Sequence, residues 1–198
     1  MMEKKADKKP WKIAGNVLFY GLLLLVLLNG DVKSWVLRQL VSVGIFSTSI
    51  DKASGKKSSL PKVASFSYRT ESGETVSTES LKGKVVFINF WASWCPPCRA
   101  EMPSINELYK QFKNDDRYVF VFMNEDEDKQ KAINYLKKEG FDMPIMTSST
   151  SISQELYSGT LPTTIVLNKA GEVAMKHEGM AKYNSGSFIK DFTELGKE

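Results

Sequence analysis

Val85-Val86-Phe87-Ile88-Asn89-Phe90-Trp91-Ala92-Ser93-Trp94-Cys95-Pro96-Pro97-Cys98-Arg99-Ala100-Glu101-Met102-Pro103 decides how the rest of this chain is read. Its first seven residues, rich in Val, Ile and Phe, predict a buried strand. Cys95-x-x-Cys98 follows, and then apolar residues at helical spacing. Two cysteines three apart at the start of a helix are close enough to bridge. The first lies at the helix N-terminus, where free N–H groups and the positive end of the dipole favour a thiolate. A thiolate is the species that attacks disulfides. These are the only two cysteines in 198 residues, so any disulfide within one molecule joins Cys95 to Cys98.

Three chemistries compete for such a pair. Zinc wants four ligands, and the chain offers one His and no further Cys, so no metal is expected. A purely structural disulfide would close a tiny loop, whereas disulfide stabilisation grows with loop length. The third is redox exchange, because a CxxC between a strand and a helix is the thioredoxin-like signature. The residues favour the third.

The overall charge of +4 misleads. Residues 1–61 carry ten Lys/Arg and four Asp/Glu, a net +6, while residues 62–198 carry seventeen and nineteen, a net −2. The basic character sits in the N-terminal third. The main domain is nearly neutral, which argues against a nucleic-acid partner. No internal repeat is visible.

Residues 1–12 form a basic N-terminus with Lys4, Lys5, Lys8, Lys9 and Lys12. Ile13 to Leu28 carries no charge, and with Trp11 and Asn29-Gly30 extending it the stretch 13–30 is expected to be a transmembrane anchor. Lysines before the span predict a cytoplasmic N-terminus and an outward-facing domain. A cleaved signal peptide is the rival, but no small-x-small site follows Leu28 directly. Within 31–61, Val32, Trp35, Val36, Leu40 and Val43 fall near one helical face. That amphipathic helix could lie on the membrane surface, dock on the domain, or continue the helix of the span. Ser47 to Pro61 reads as a flexible tether.

The folded domain is expected over 62–198. Strands are expected at 66–69, 75–76, 85–91, 118–123, 163–167 and 172–177, and a short strand or extended piece at 144–146. Helices are expected at 96–112, 129–139, 153–157 and 187–195. Pro96 and Pro97 suit a first helical turn, and Pro103 should kink the helix. Gly140 should close the helix before it. The acidic run Asn124 to Asp128 reads as a solvated helix start. His177, on an edge strand, reads as solvent-facing. The order is that of an α/β fold with a mixed sheet.

From Trp91 to Pro103 the chain resembles the TlpA/ResA family of membrane-anchored thioredoxin-like proteins, and the likeness extends over about 62–198. Leu81-Lys82-Gly83-Lys84, Trp94-Cys95-Pro96-Pro97-Cys98, Pro103, and Gly159-Thr160-Leu161-Pro162-Thr163-Thr164 followed by a strand and Gly171 all agree with it. The resemblance implies a thioredoxin-like fold, a central mixed β-sheet flanked by helices, behind an N-terminal transmembrane helix. It implies a cis Pro162 facing the two sulfurs. The backbone of Leu161 would then hold a substrate strand beside Cys95, with Trp94, Pro96 and Pro97 completing the substrate side. It also matches Glu101 to an acidic residue close to the site, able to shuttle the proton of the resolving thiol; without the family, an exposed helix acid is the alternative. Ordinary thioredoxins carry a buried Asp where this chain has Asn89, which cannot exchange protons. Glu101 is then the only candidate base nearby.

The expected function is that of an extracytoplasmic thiol–disulfide oxidoreductase of the cytoplasmic membrane. It would reduce protein disulfides through Cys95 and Cys98, with no cofactor, and draw electrons from a membrane thiol donor. Cys95 should be the exposed partner and Cys98 the shielded one. Cytochrome c maturation and general thiol repair are the family themes. Three alternatives stay open: the same couple run as an oxidase, a peroxidase on a related fold, and a non-catalytic membrane-tethered binding module. The Cys95-Pro96-Pro97-Cys98 setting does not offer a peroxidatic site, and a mere binding module would not need both cysteines.

Overall fold

A computed structural model describes residues 9–44, 46, 48–50 and 65–197. Most of the basic N-terminus expected over 1–12 and most of the tether expected over 47–61 lie outside the described residues.

Strand β3 (Val85–Trp91) is buried at all seven positions, which accounts for a sequence apolar everywhere but at Asn89. It runs parallel to β4 (Tyr118–Asn124), Val85 beside Tyr118 and Trp91 beside Asn124. On its other side it is antiparallel to β6 (Thr163–Leu167), with Phe90 opposite Thr163. Beyond β6 lies β7 (Val173–Glu178), giving the order β4-β3-β6-β7. A second, smaller sheet has the order β2-β1-β5, built from β1 (Ser67–Arg69), β2 (Thr75–Ser77) and β5 (Thr147–Ser148).

Successive side chains of a strand point to opposite faces, so β3 feeds two cores. Val85, Phe87 and Trp91 join Met102, Ile105 and Leu108 of α3 (Pro96–Phe112) and Phe188 and Phe192 of α5 (Gly186–Leu195). Val86, Ile88 and Phe90 join Phe66, Tyr68 and Leu156 on the other face. Phe87 meets the rings of Tyr183, Phe188 and Phe192 edge-on, at 5.3, 6.4 and 6.2 Å. Helix α4 (Lys129–Glu139) starts at Asp128, whose carboxylate accepts the Gln130 N–H at 2.9 Å. It ends at Gly140, whose φ of +70° is a conformation that favours glycine.

One expectation needs correcting inside the domain. The stretch 153–157 makes a single turn, not a helix. The Leu156 and Tyr157 amides both donate to the Ser153 carbonyl at 3.0 Å. Leu156 is then buried, and Tyr157 stacks flat on Phe90 at 4.0 Å, anchors that draw the chain out of helical register. Residues 144 and 145 lie outside any strand, as the extended-piece reading allowed. Met146 alone bridges in parallel to Met123, and the strand proper starts at Thr147, where it turns to β1. His177 is half-buried on the edge strand β7.

At the N-terminus, α1 (Lys9–Leu28) leaves Ile13, Val17, Leu18, Phe19, Leu22 and Leu28 uncovered, Leu18 and Leu28 at 76% each. It ends two residues earlier than the span expected over 13–30. Asn29 is the reason, since its side chain accepts the Asp31 and Val32 N–H groups at 2.9 and 3.2 Å and so caps a new helix, α2 (Gly30–Ser42). Among the described residues no single helix is long and apolar enough to cross a membrane. Ile13–Leu25 and Gly30–Ser42 together would be, but they meet at 93°.

Of the three readings open for the amphipathic segment, the structure has the docked one. Ser34 and Val41 are buried, Arg99 of α3 pairs with Asp31 at 2.5 Å, and Arg38 reaches Glu139 of α4 at 3.0 Å. Pro103 helps to explain where α2 sits. Lacking an N–H, it cannot bond the carbonyl four residues before it. That carbonyl belongs to Arg99, and the Arg38 guanidinium donates to it at 3.4 Å. From α2 the chain crosses to the loop before α5, where the Lys182 N–H donates to the Phe46 carbonyl at 2.8 Å.

Candidate active site

The two cysteines meet where β3 gives way to α3. A disulfide joins Cys95 and Cys98, with Cα atoms 5.3 Å apart. Cys95 is the N-cap of α3, and its sulfur accepts the Cys98 N–H at 3.3 Å. Pro96 and Pro97 fill the first two helical positions and have no N–H to offer, so this single amide takes the place of the usual fan of donors at a helix start. Cys98 is wholly buried and Cys95 is 4% exposed. The order matches expectation, but Cys95 is far less open than a position ahead of the helix suggested. Its sulfur turns back onto the helix end and joins the core cluster of Trp91 and Ala92. Trp94, next in sequence, is 64% exposed.

The Leu161–Pro162 peptide bond is cis. Pro162 is buried and Leu161 partly so. Thr163, the next residue, lies opposite Phe90, which puts Pro162 level with the end of β3 where the cysteine loop departs. The ladders of β6 begin at Thr163, leaving Leu161 outside them. The Pro162 carbonyl already accepts the Gly179 N–H at 2.8 Å.

Glu101 stands one turn after Cys98 and is 0% exposed, so the exposed-acid alternative falls. Asn89 Nδ2 donates to its Oε1 at 2.9 Å and the Ala181 N–H to its Oε2 at 3.1 Å. Burial pushes its pKa up to about 8, against the pull of these two donors. The same surroundings hold Tyr183, fully buried, whose phenol burial drives well above its ordinary range. A carboxyl poised near neutrality beside a dithiol can take or return a proton without leaving the protein interior.

One further residue of the site escaped sequence reasoning. Asp126, expected only as part of a solvated helix start, accepts the Ser93 N–H at 2.8 Å, the Ser93 hydroxyl at 2.6 Å and Asn124 Nδ2 at 2.7 Å. It ties down the loop that carries Trp94 and Cys95. The available signal was the parallel pairing of two buried strands, which sets the residues after each side by side.

Comparison with known proteins bears on the same residues. The profile of the Redoxin family matches residues 55–187, which include both cysteines, Glu101 and Pro162. The chain belongs to that family. This redoxin is 30% identical over 180 residues to the thiol-disulfide oxidoreductase ResA of Bacillus anthracis, spanning 90% of this chain and 98% of that one. It is 33% identical over 126 residues to ResA of Bacillus subtilis, covering 63% and 68% of the two chains. Among solved structures, StoA from Bacillus subtilis superposes with a TM-score of 0.51 at 29% identity, over 67% of this chain and 99% of that chain. A thioredoxin-family thiol:disulfide interchange protein from Chlorobium tepidum gives 0.54 at 28% identity, over 71% and 97%. The redoxin is therefore a thioredoxin-like α/β enzyme of the thiol–disulfide oxidoreductase class.

Proposed function

We propose that this enzyme is a membrane-anchored, extracytoplasmic reductase of protein disulfides. The observation that carries this reading is the buried Glu101 one helical turn from the shielded Cys98, on the helix whose cap is Cys95. In the reduced enzyme the Cys95 thiolate attacks a substrate disulfide, forms a mixed disulfide and releases one substrate thiolate. Glu101 takes the proton from Cys98. The Cys98 thiolate then attacks Cys95, the second substrate thiolate leaves, and the Cys95–Cys98 disulfide closes. Two electrons have passed to the substrate, and two must return from a membrane thiol donor. Leu161 and Pro162, with Trp94, Pro96 and Pro97, form the substrate side, where an extended strand can add to the backbone of Leu161.

The anchor lies in residues 13–30, where Ile13, Leu18, Leu22 and Leu28 stand uncovered behind a lysine-rich N-terminus. Lysines ahead of an apolar span support a cytoplasmic N-terminus and a domain outside the cytoplasmic membrane. Substrates are exported protein thiols, among them those that must be kept reduced for cytochrome c maturation. What supports the reductive direction is the Pro96-Pro97 pair, which leaves the Cys95 sulfur one amide donor and so stabilises the thiolate less than a full helix terminus does.

Two measurements test the reading. Cys98→Ser should trap substrates as mixed disulfides on Cys95, and Cys95→Ser should trap none; the reverse pattern would overturn the assigned order of attack. Equilibration against glutathione should give a potential well below that of the strong oxidants of this fold (about −120 mV). A value as high as theirs would turn the enzyme into an oxidase.

A further inference from the structure

Asn89 sits in the middle of β3, fully buried, and cannot itself exchange a proton. Its hydrogen bonds give it another task. Its single nitrogen donates twice, to Glu101 Oε1 and to Thr164 Oγ1, both at 2.9 Å. Its carbonyl oxygen is buried with no donor. A buried carbonyl without a partner is uncommon and calls for a reason.

The reason lies in the charge state of Glu101. Carboxylate oxygens only accept, and this one receives Asn89 at Oε1 and the Ala181 amide at Oε2. A backbone amide only donates. When Glu101 binds a proton, the Ala181 amide favours the stronger acceptor, a carbonyl oxygen, at Oε2, and so favours the proton on Oε1. There it would face Asn89 Nδ2, donor against donor. A half-turn of the Asn89 carboxamide removes the conflict by presenting Oδ1 to both neighbours. Oδ1 then accepts from the Glu101 hydroxyl and from Thr164, whose hydroxyl can rotate to donate. Each orientation leaves one end of the amide unpartnered, and the orphaned oxygen marks the one that an ionised Glu101 selects.

We propose that Asn89 is the positioning residue of the proton relay: its carboxamide reverses each time Glu101 gains or loses a proton and holds that carboxyl in place in both states. This rests on the reading of Glu101 as the base for Cys98. The proton moves from the Cys98 thiol to Glu101 Oε1, the Cys98 thiolate attacks the Cys95 sulfur, and the substrate departs as its thiolate. Asn89 gains and loses no atom. The other titratable groups near Glu101 are Cys98 on α3 and Tyr183 from the loop before α5, and the phenol stays protonated through the neutral range.

Asn89→Leu keeps the number and branching of the side-chain heavy atoms and removes both ends of the amide. With its donor gone, the carboxyl vibration of Glu101 should titrate about one to two pH units higher, and the rising limb of the exchange rate should shift with it. In a Glu101→Gln background the same substitution should leave the pH profile of exchange where it was. An unmoved carboxyl titration in a folded Asn89→Leu protein, or an Asn89 effect on the profile that persists without Glu101, would overturn the proposal. The parent protein supplies a test free of any variant. The side-chain amide resonances of Asn89 should shift with the midpoint of the Glu101 titration, and signals unchanged through that range would also sink it. Glu101→Gln alone tests the base itself, since an unaltered rate there refutes that role whatever Asn89 does.

Discussion

A carboxyl group sealed from water and given only two hydrogen-bond donors is costly to ionise, and that cost is visible in stability. Folding raises the pKa of Glu101 from the ordinary 4.5 to about 8. Between those values the folded chain holds a proton that the unfolded chain releases. The stability contributed by this group is therefore complete below about 4.5 and is lost as the pH climbs through 8. Glu101→Gln removes the dependence. The variant should melt above the parent, with the gap wider at pH 8 than at pH 5, which calorimetry at the two pH values can check. Its exchange rate at neutral pH should fall, and the parent's should rise with pH up to about 8 as the base ionises. A parent whose stability does not change across that interval would mean that Glu101 keeps an ordinary pKa. The residue's importance was implied by family resemblance, but its burial was not readable from the sequence. Burial follows from Ala181 and Tyr183, eighty residues on, closing over α3.

Among the elements, β3 and α3 were legible because their signals are local. Six apolar residues in a run of seven, two prolines at a helix start and a stripe of Met102, Ile105, Leu108 and Phe112 fix both ends without help from elsewhere. What could not be seen depended on contacts between distant segments. The turn at Ser153 gives way to Tyr157 stacking on Phe90, and the free carbonyl ahead of Pro103 finds its donor in Arg38. Asp126 belongs to the same class, since its role exists only because β3 and β4 end at the same level. Asp126→Ala would leave the Ser93 amide and hydroxyl without their acceptor. Losing these hydrogen bonds should cost about 1–3 kcal/mol, measured by urea unfolding, and slow the formation of the trapped mixed disulfide. A variant as stable and as fast as the parent would show that the loop holds its shape without the carboxylate.

At the scale of the molecule, the sequence suggested a domain on a leash, with 47–61 setting how far it could wander. Docking of α2 changes that geometry. The helix is fastened to α3 and α4 through Asp31 and Arg38 and buries Ser34 and Val41, so it travels with the domain. Residues 51–64 then follow α2 in the chain without standing between the proposed anchor and the catalytic unit. The bend at Asn29 does stand there, a single capped position where two helices meet at 93°. With α1 in the bilayer, the dithiol would pivot on this gimbal at a fixed height instead of sweeping a hemisphere. Its targets would be chosen by altitude above the lipid as much as by chemistry.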